Sequence, residues 1–425
     1  MATFVKEGGK SRKIDILELQ DLLKAFVKRH PVLNTASAKK VLLIPPDFTR
    51  FHSQAGEICG ILYQLLSKKH DIDLLPALGT HRPHTEEENR IMFHGIPPDR
   101  ILVHNWQTGL VRVGEISGKR LKEISGGKVD YSVKVEIDKI VAEGGYDAII
   151  SCGQIVPHEV AGMAGGNKNI LVGTAGPDTI NKSHFLGAVC NMEKIMGEIE
   201  SPVRTLFNEA EDRFLKQLPI SYILTVRAKD ENGALVTRGI FCGDDRSCYL
   251  EAAKLSKEVN IFKTPALRKV VVWLDPSEFK STWLGNKAIY RTRMAVADGG
   301  ELVVIAPGLK EFGEAEVNEK FIRKYGYCGT EKVLKAVKED AELRNALGAA
   351  AHLIHGSSEG RFRIIYAPGK LTRKDIESVH FEYAPLEDMM KRYDHEKLKD
   401  GFNVMPDGEE IYYISNPALG LWKAN

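Results

Sequence analysis

Between Gln154 and Ala188 the chain gathers three side chains able to do chemistry: His158, Lys168 and His184. An imidazole titrates near neutrality, so a histidine suits proton transfer or, when neutral, metal ligation. A lysine shielded from water can attach covalently to a cofactor, whereas on a mobile surface loop it is simply solvated. Glycines crowd among these residues, Gly165 and Gly166 included, and they let backbone amides approach a phosphate. Two familiar motifs nevertheless fail here. His158-Glu159 starts like the H-E-x-x-H helix of zinc peptidases, but Gly162 stands where the second histidine is required. Gly165-Gly166-Asn167-Lys168 lacks both the spacing and the terminal Ser/Thr of an NTPase phosphate loop. His184 is a candidate metal ligand, yet two isolated histidines do not specify a metal site.

Two shorter turns add to the inventory. Asp47-Phe48-Thr49-Arg50 places a carboxylate beside a planar guanidinium, able to bind a hydroxyl and a carboxylate. The alternative is a local turn pair that caps the next helix. Gly79-Thr80-His81-Arg82 offers His81 as a general base, weakly, because the chain has 13 histidines. Further on, Lys287 follows Trp283-Leu284-Gly285-Asn286 at a helix start and could hold an acidic substrate.

The elements that must position these residues read as α/β. Apolar spacing predicts helices over 14–30 and 56–69, and strands at Lys40–Ile44 and from Asp73. Thr85 caps an acidic helix start. Further strands are expected at Ile101–Val103 and Asp147–Ile150, and the stretch from Gln154 to Ala188 is expected to be one long loop. Residues 189–217 read as helical, and a hairpin turns at Asp230-Glu231-Asn232-Gly233. From Lys269 the alternation of strand and helix resumes. Repeated strand–turn–helix units imply two α/β domains, each with a mainly parallel sheet flanked by helices. The boundary falls near 260–268, giving 1–265 as the cofactor-binding and catalytic domain and 266–425 as a domain closing over the substrate. Ligands of such sheets bind beyond the carboxyl ends of the strands, so the three turns can converge, with the active site in the interdomain cleft.

Composition excludes several classes. A net charge of +2 gives no case for nucleic acid, and no apolar run is long enough to span a membrane. The six cysteines form no C-x-x-C pair, which suits a reducing cytoplasm rather than a disulfide framework or a zinc ribbon.

Taken together, Pro46-Asp-Phe-Thr-Arg50, Gly79-Thr-His-Arg82, Pro157-His-Glu-Val-Ala-Gly-Met-Ala-Gly-Gly-Asn-Lys168 and Asn181-Lys-Ser-His184 resemble the lactate racemase family of nickel-pincer-nucleotide enzymes. The resemblance covers the N-terminal half well and the second domain more loosely. It implies a cofactor derived from nicotinic acid, attached covalently at Lys168, with Gly165 and Gly166 beside it. Ni2+ would be held by the pincer and by His184. His81 and His158 would act as acid and base, Arg50 and Lys287 would bind the substrate, and Asp47 and Thr49 would order the cofactor end of the site.

The implied reaction inverts C2 of a 2-hydroxy acid. One histidine removes the hydroxyl proton while hydride leaves carbon, and the return to the opposite face completes the inversion. Leu284 and Asn286 depart from the family pattern at positions where glutamine and histidine are found. They favour a larger hydroxy acid, such as a sugar acid, over lactate. Expected partners are the small hydroxy acid and the cofactor-synthesis proteins, without nucleic acid or membrane, and a homodimer is allowed. The competing readings are a mononuclear-metal or NAD-dependent sugar-acid enzyme without a covalent cofactor, and a non-catalytic protein that binds a nucleotide-like ligand.

Overall fold

The computed structural model describes residues 3–425. The chain forms two compact units, one of residues 1–186 and 195–260, the other of 187–194 and 261–425. Helices flank mainly parallel sheets, as the strand–turn–helix alternation leads one to expect.

The first unit is built on a six-stranded sheet in the order Thr3–Gly8, Leu235–Gly243, Ile220–Lys229, Ala148–Gln154, Lys40–Ile44, Asp71–Leu74. The last four strands run parallel, and the first two pair antiparallel. Val41, Leu42, Leu43 and Ile44 are all buried, so the Lys40–Ile44 strand is covered on both faces. That burial explains its unbroken apolar run. On one face, Leu19, Leu23 and Phe26 of the Ile16–Arg29 helix and Ile58 and Leu62 of the Ala55–Leu66 helix pack with Val41, Leu43 and Ile150. Another cluster joins Tyr222, Leu224, Val226 and Phe241 to Cys248, Tyr249 and Ala252 of the Arg246–Asn260 helix. The hairpin turn forms where Asp230 Oδ1 accepts from the amides of Asn232 and Ala234, with Gly233 at φ +82°.

The second unit holds another six-stranded sheet, ordered Glu382–Tyr383, Arg363–Pro368, Val296–Ala306, Leu267–Trp273, Glu410–Ile414, Gly401–Val404, parallel except at the last pair. Val271, Trp273, Val303 and Ile305 share a core with Tyr393, Ile411 and Tyr413.

Three expectations need correction. The stretch from Gln154 to Ala188 is not one loop. It contains a minimal hairpin, Pro157–His158 with Gly162–Met163, a single helical turn Lys168–Leu171, and the helix Pro177–Val189. Glycine is concentrated before Pro177, and proline at the first helical position starts the helix that carries His184. Ile101–Val103 forms no strand and contributes only a single bridge, Leu74 to Ile101. The region 189–217 is broken into short helices, Met192–Ile195 and Pro202–Ala210, with a wider turn at Glu211–Leu215. Proline and a positive-φ Gly197 interrupt it. Pieces that went unread include the edge strand Thr3–Gly8, the antiparallel ribbon Leu110–Ile116 with Val133–Asp138, and the parallel pair Ile261–Thr264 with Leu421–Ala424. The ribbon's second strand, Val133–Asp138, alternates apolar and polar residues, so this strand was legible in the sequence.

Candidate functional site

The Lys40–Ile44 strand stops at two prolines, and Pro46 bridges in parallel to Ala77. This bridge brings the turn at Asp47 beside the turn at His81. Gly79, at φ +57°, donates its amide to Gly173 O at 2.8 Å and redirects the chain so that His81 faces back. Asp47 is buried; its Oδ1 accepts from Thr49 Oγ1 at 2.6 Å, and its Oδ2 accepts from His81 Nδ1. Burial alone would raise the Asp47 pKa. The charge of His81, hydrogen bonds from His81 and Thr49, and the charge of Arg50 instead hold it well below the ordinary range. Neutral His81 therefore carries its proton on Nδ1 and its lone pair on Nε2. Neighbouring His84 has a different job: its Nε2 accepts from the Phe48 amide at 2.7 Å and its ring stacks on Phe93, so it braces the turn.

His158 sits in the opposite state. In its tight hairpin, Nδ1 accepts from the amides of Val160 at 3.1 Å and Ala161 at 3.4 Å. The proton of neutral His158 is thus on Nε2, which lies 3.7 Å from Glu159 Oε1. One histidine presents a lone pair and the other presents an N–H.

Lys168 follows the double-glycine turn. Gly165 and Gly166 have φ of +73° and +61°, and a Cβ on Gly165 would lie 2.6 Å from Ile155 Cδ1. Glycine is needed here for backbone shape. Desolvation, aided by the charges of Arg50 and Arg204, lowers the Lys168 pKa to about 8 against the opposing pull of Glu159 and Asp47. His184 is lowered to about 4, first by desolvation and then by Lys168, while its bond to Ile180 and the charge of Glu159 oppose the shift. Its Nδ1 donates to Ile180 O at 2.7 Å, so the Nε2 lone pair is the atom it offers to a metal. Charges on Asp47, Arg50, Glu159 and Arg204 act on Lys168, and those on Lys168, Glu159 and His81 act on His184. Turns far apart in sequence therefore converge within the first unit.

Among the described residues, no group of three or more His, Cys, Asp or Glu side chains is placed to hold a metal ion.

Lys287 belongs to the second unit. It is buried, its Nζ 3.6 Å from Glu278 Oε1 and 5.3 Å above the Phe279 ring. Asn286 is fully buried and accepts from Tyr366 OH at 2.8 Å, which makes it part of the internal scaffold.

Three residues escaped the sequence reading. Glu159 was seen only as part of a failed zinc motif. Asn169 ties the turn at Lys168 to the strand ends, donating to Ile44 O at 3.0 Å and Ser151 Oγ at 3.1 Å. Arg204 is a buried cation on the Pro202–Ala210 helix. A charged residue at an apolar position of an amphipathic helix was the one signal for it.

Residues 15–197 match the family model described as the lactate racemase N-terminal domain. A lactate racemase from Thermoanaerobacterium thermosaccharolyticum is 24% identical over 281 residues, which covers 63% of this chain and 60% of that relative's length. A crystal structure of a protein from Thermotoga maritima superposes with TM-score 0.82 at 21% identity, covering 99% of this chain and 100% of that one. The lactate racemase apoprotein from T. thermosaccharolyticum superposes with TM-score 0.70 at 16% identity, covering 99% and 94%.

Proposed function

We propose that this chain, whose residues 15–197 match the lactate racemase N-terminal domain model, is a racemase or epimerase that inverts C2 of a 2-hydroxy acid. The observation that carries the reading is that Nδ1 of His81 is paired with the Asp47 carboxylate while Nδ1 of His158 accepts two backbone amides, in the unit that also holds Lys168 and His184.

Arg50 is proposed to hold the substrate carboxylate through its planar fork. Nε2 of His81 accepts the C2 hydroxyl proton as the C–H bond opens, and Asp47 stabilises the imidazolium that results. The N–H of His158 is proposed to serve the substrate oxygen from the opposite face, as inversion requires. Lys287 is kept as a proposed substrate residue of the second unit.

The residues fit a nickel-pincer nucleotide. A lysine amine lowered to about 8 suits covalent attachment. A single neutral imidazole suits a metal that arrives with its own sulfur and carbon donors. Bound through Lys168 and His184, with Gly165 and Gly166 alongside, the group would supply a reversible hydride acceptor. Thr49 acts through Asp47 and so helps orient His81. We infer a cytoplasmic enzyme that depends on cofactor-synthesis proteins. Its substrate is a 2-hydroxy acid of lactate size or larger, sugar acids included.

The test is intact mass spectrometry of the chain made together with the cofactor-synthesis proteins, followed by chiral analysis of a 2-hydroxy acid panel. An adduct lost in Lys168→Ala, nickel lost in His184→Ala, and inversion of at least one acid are expected. A chain without adduct that inverts none of the acids overturns the reading.

A further inference from the structure

Arg204 is almost completely buried, and among the described residues no ion pair joins it to a carboxylate. A buried cation without a counter-charge is costly, so what it holds is informative. Its Nη2 donates to Met163 O at 2.6 Å and its Nη1 to Asn167 Oδ1 at 2.6 Å, with a weaker contact to Gly165 O at 3.5 Å. The guanidinium plane lies 4.3 Å over the Tyr249 ring. One planar fork thus staples both ends of the double-glycine turn that leads into Lys168.

The clamp continues beyond Arg204. Asn167 Nδ2 donates to Asn208 Oδ1 at 2.8 Å and to Glu211 Oε2 at 2.9 Å, and Tyr222 OH donates to the other Glu211 oxygen. On the far side of Lys168, Asn169 is pinned to the ends of the Lys40–Ile44 and Ala148–Gln154 strands. The backbone of Lys168 is therefore fixed at both neighbours, although Lys168 is itself part of a helix of only four residues.

We propose that Arg204 is a positioning residue for Lys168: by clamping Met163 and Asn167 it holds the amine ready for covalent attachment in the bare polypeptide, before any cofactor arrives. The proposal rests on Lys168 being an attachment point. Its test needs neither cofactor nor turnover, so its failure is distinct from failure of the racemase reading.

The purified full chain is treated at pH 8 with the N-hydroxysuccinimide ester of acetic acid. The amine attacks the acyl carbon, the C–N bond forms, the ester C–O bond breaks, and the amine proton passes to solvent. Site-resolved mass spectrometry then gives the Lys168 rate relative to exposed Lys119 in the same molecule. Arg204→Met is expected to lower that ratio by about tenfold, because an amine released from the clamped turn into solvent returns toward the ordinary lysine value and is mostly protonated at pH 8. Arg204→Lys keeps the charge but not the fork and is expected to lower it likewise. Asn167→Ala removes the last link of the clamp while keeping the cation, and it decides the matter should Arg204→Met not fold. Wild-type ratios in the folded variants overturn the proposal, as does a wild-type ratio in Arg204→Lys alone, which would make charge sufficient.

Discussion

Asp47 Oδ2 accepts the Nδ1 proton of His81, a residue 34 positions later in the chain. The two side chains close the gap between neighbouring strand ends, and this one bond fixes both the ring's orientation and its tautomer. Asp47→Asn should therefore lower kcat of the loaded enzyme by about 10–100-fold, with KM little changed. Steady-state kinetics on the preferred hydroxy acid checks this; an unchanged kcat would contradict the assigned role.

Acid dependence of stability follows from the same pair. The folded pKa of Asp47 is depressed, so its ionised form stabilises the fold above the unfolded carboxylate value. That stability is lost as pH falls through the lower folded value. The Tm gap between wild type and Asp47→Asn should be widest near neutrality and should shrink below about pH 4.

Lys168 has the reverse sign. Its folded pKa of about 8 lies below the ordinary lysine value of 10.5, so the unfolded chain binds more protons between those values. Burying the charged amine costs stability at pH 7, and that cost fades as pH rises. Lys168→Met should melt higher than wild type at pH 7, with the advantage disappearing between about pH 8 and 10.5. Thermal melts across pH test the direction.

His184 should stay neutral across the physiological range, its proton on Nδ1 opposite Ile180 O. Long-range proton–nitrogen NMR of the cofactor-free chain is expected to show that tautomer unchanged from pH 8 to about pH 5.5. A ring that titrates near 6.5 would remove the case for a preset metal ligand.

Much of the scaffold was legible because it obeys simple periodicities. Val41–Ile44 is buried on both faces and reads as an unbroken apolar run. Thr85 and Glu88 form the reciprocal cap their spacing announces. The site was legible where chemistry and turn grammar coincide, at Asp47, His81 and the glycines before Lys168. It was illegible where function depends on long-range hydrogen bonds. Nothing in the order of residues tells that His158 turns its Nδ1 into its own hairpin, or that Arg204 reaches back to Met163. The helix Pro177–Val189 was hidden because the glycine-rich segment before it dominates the window.

Gly162 faces His158 across the small hairpin at φ +80°, and a Cβ there would collide with Glu198 O. Gly162→Ala should cost about 2 kcal/mol or more, against about 1 kcal/mol for Gly233→Ala, which shares the positive φ but stands in open space. Chemical denaturation of both variants checks the ranking. The wider consequence concerns evolvability. His158-Glu159 is one substitution short of a zinc-peptidase signature in letters, but the backbone closes that route. A histidine at 162 would have to open the hairpin that sets the His158 tautomer, so the zinc-peptidase signature and this backbone conformation exclude each other.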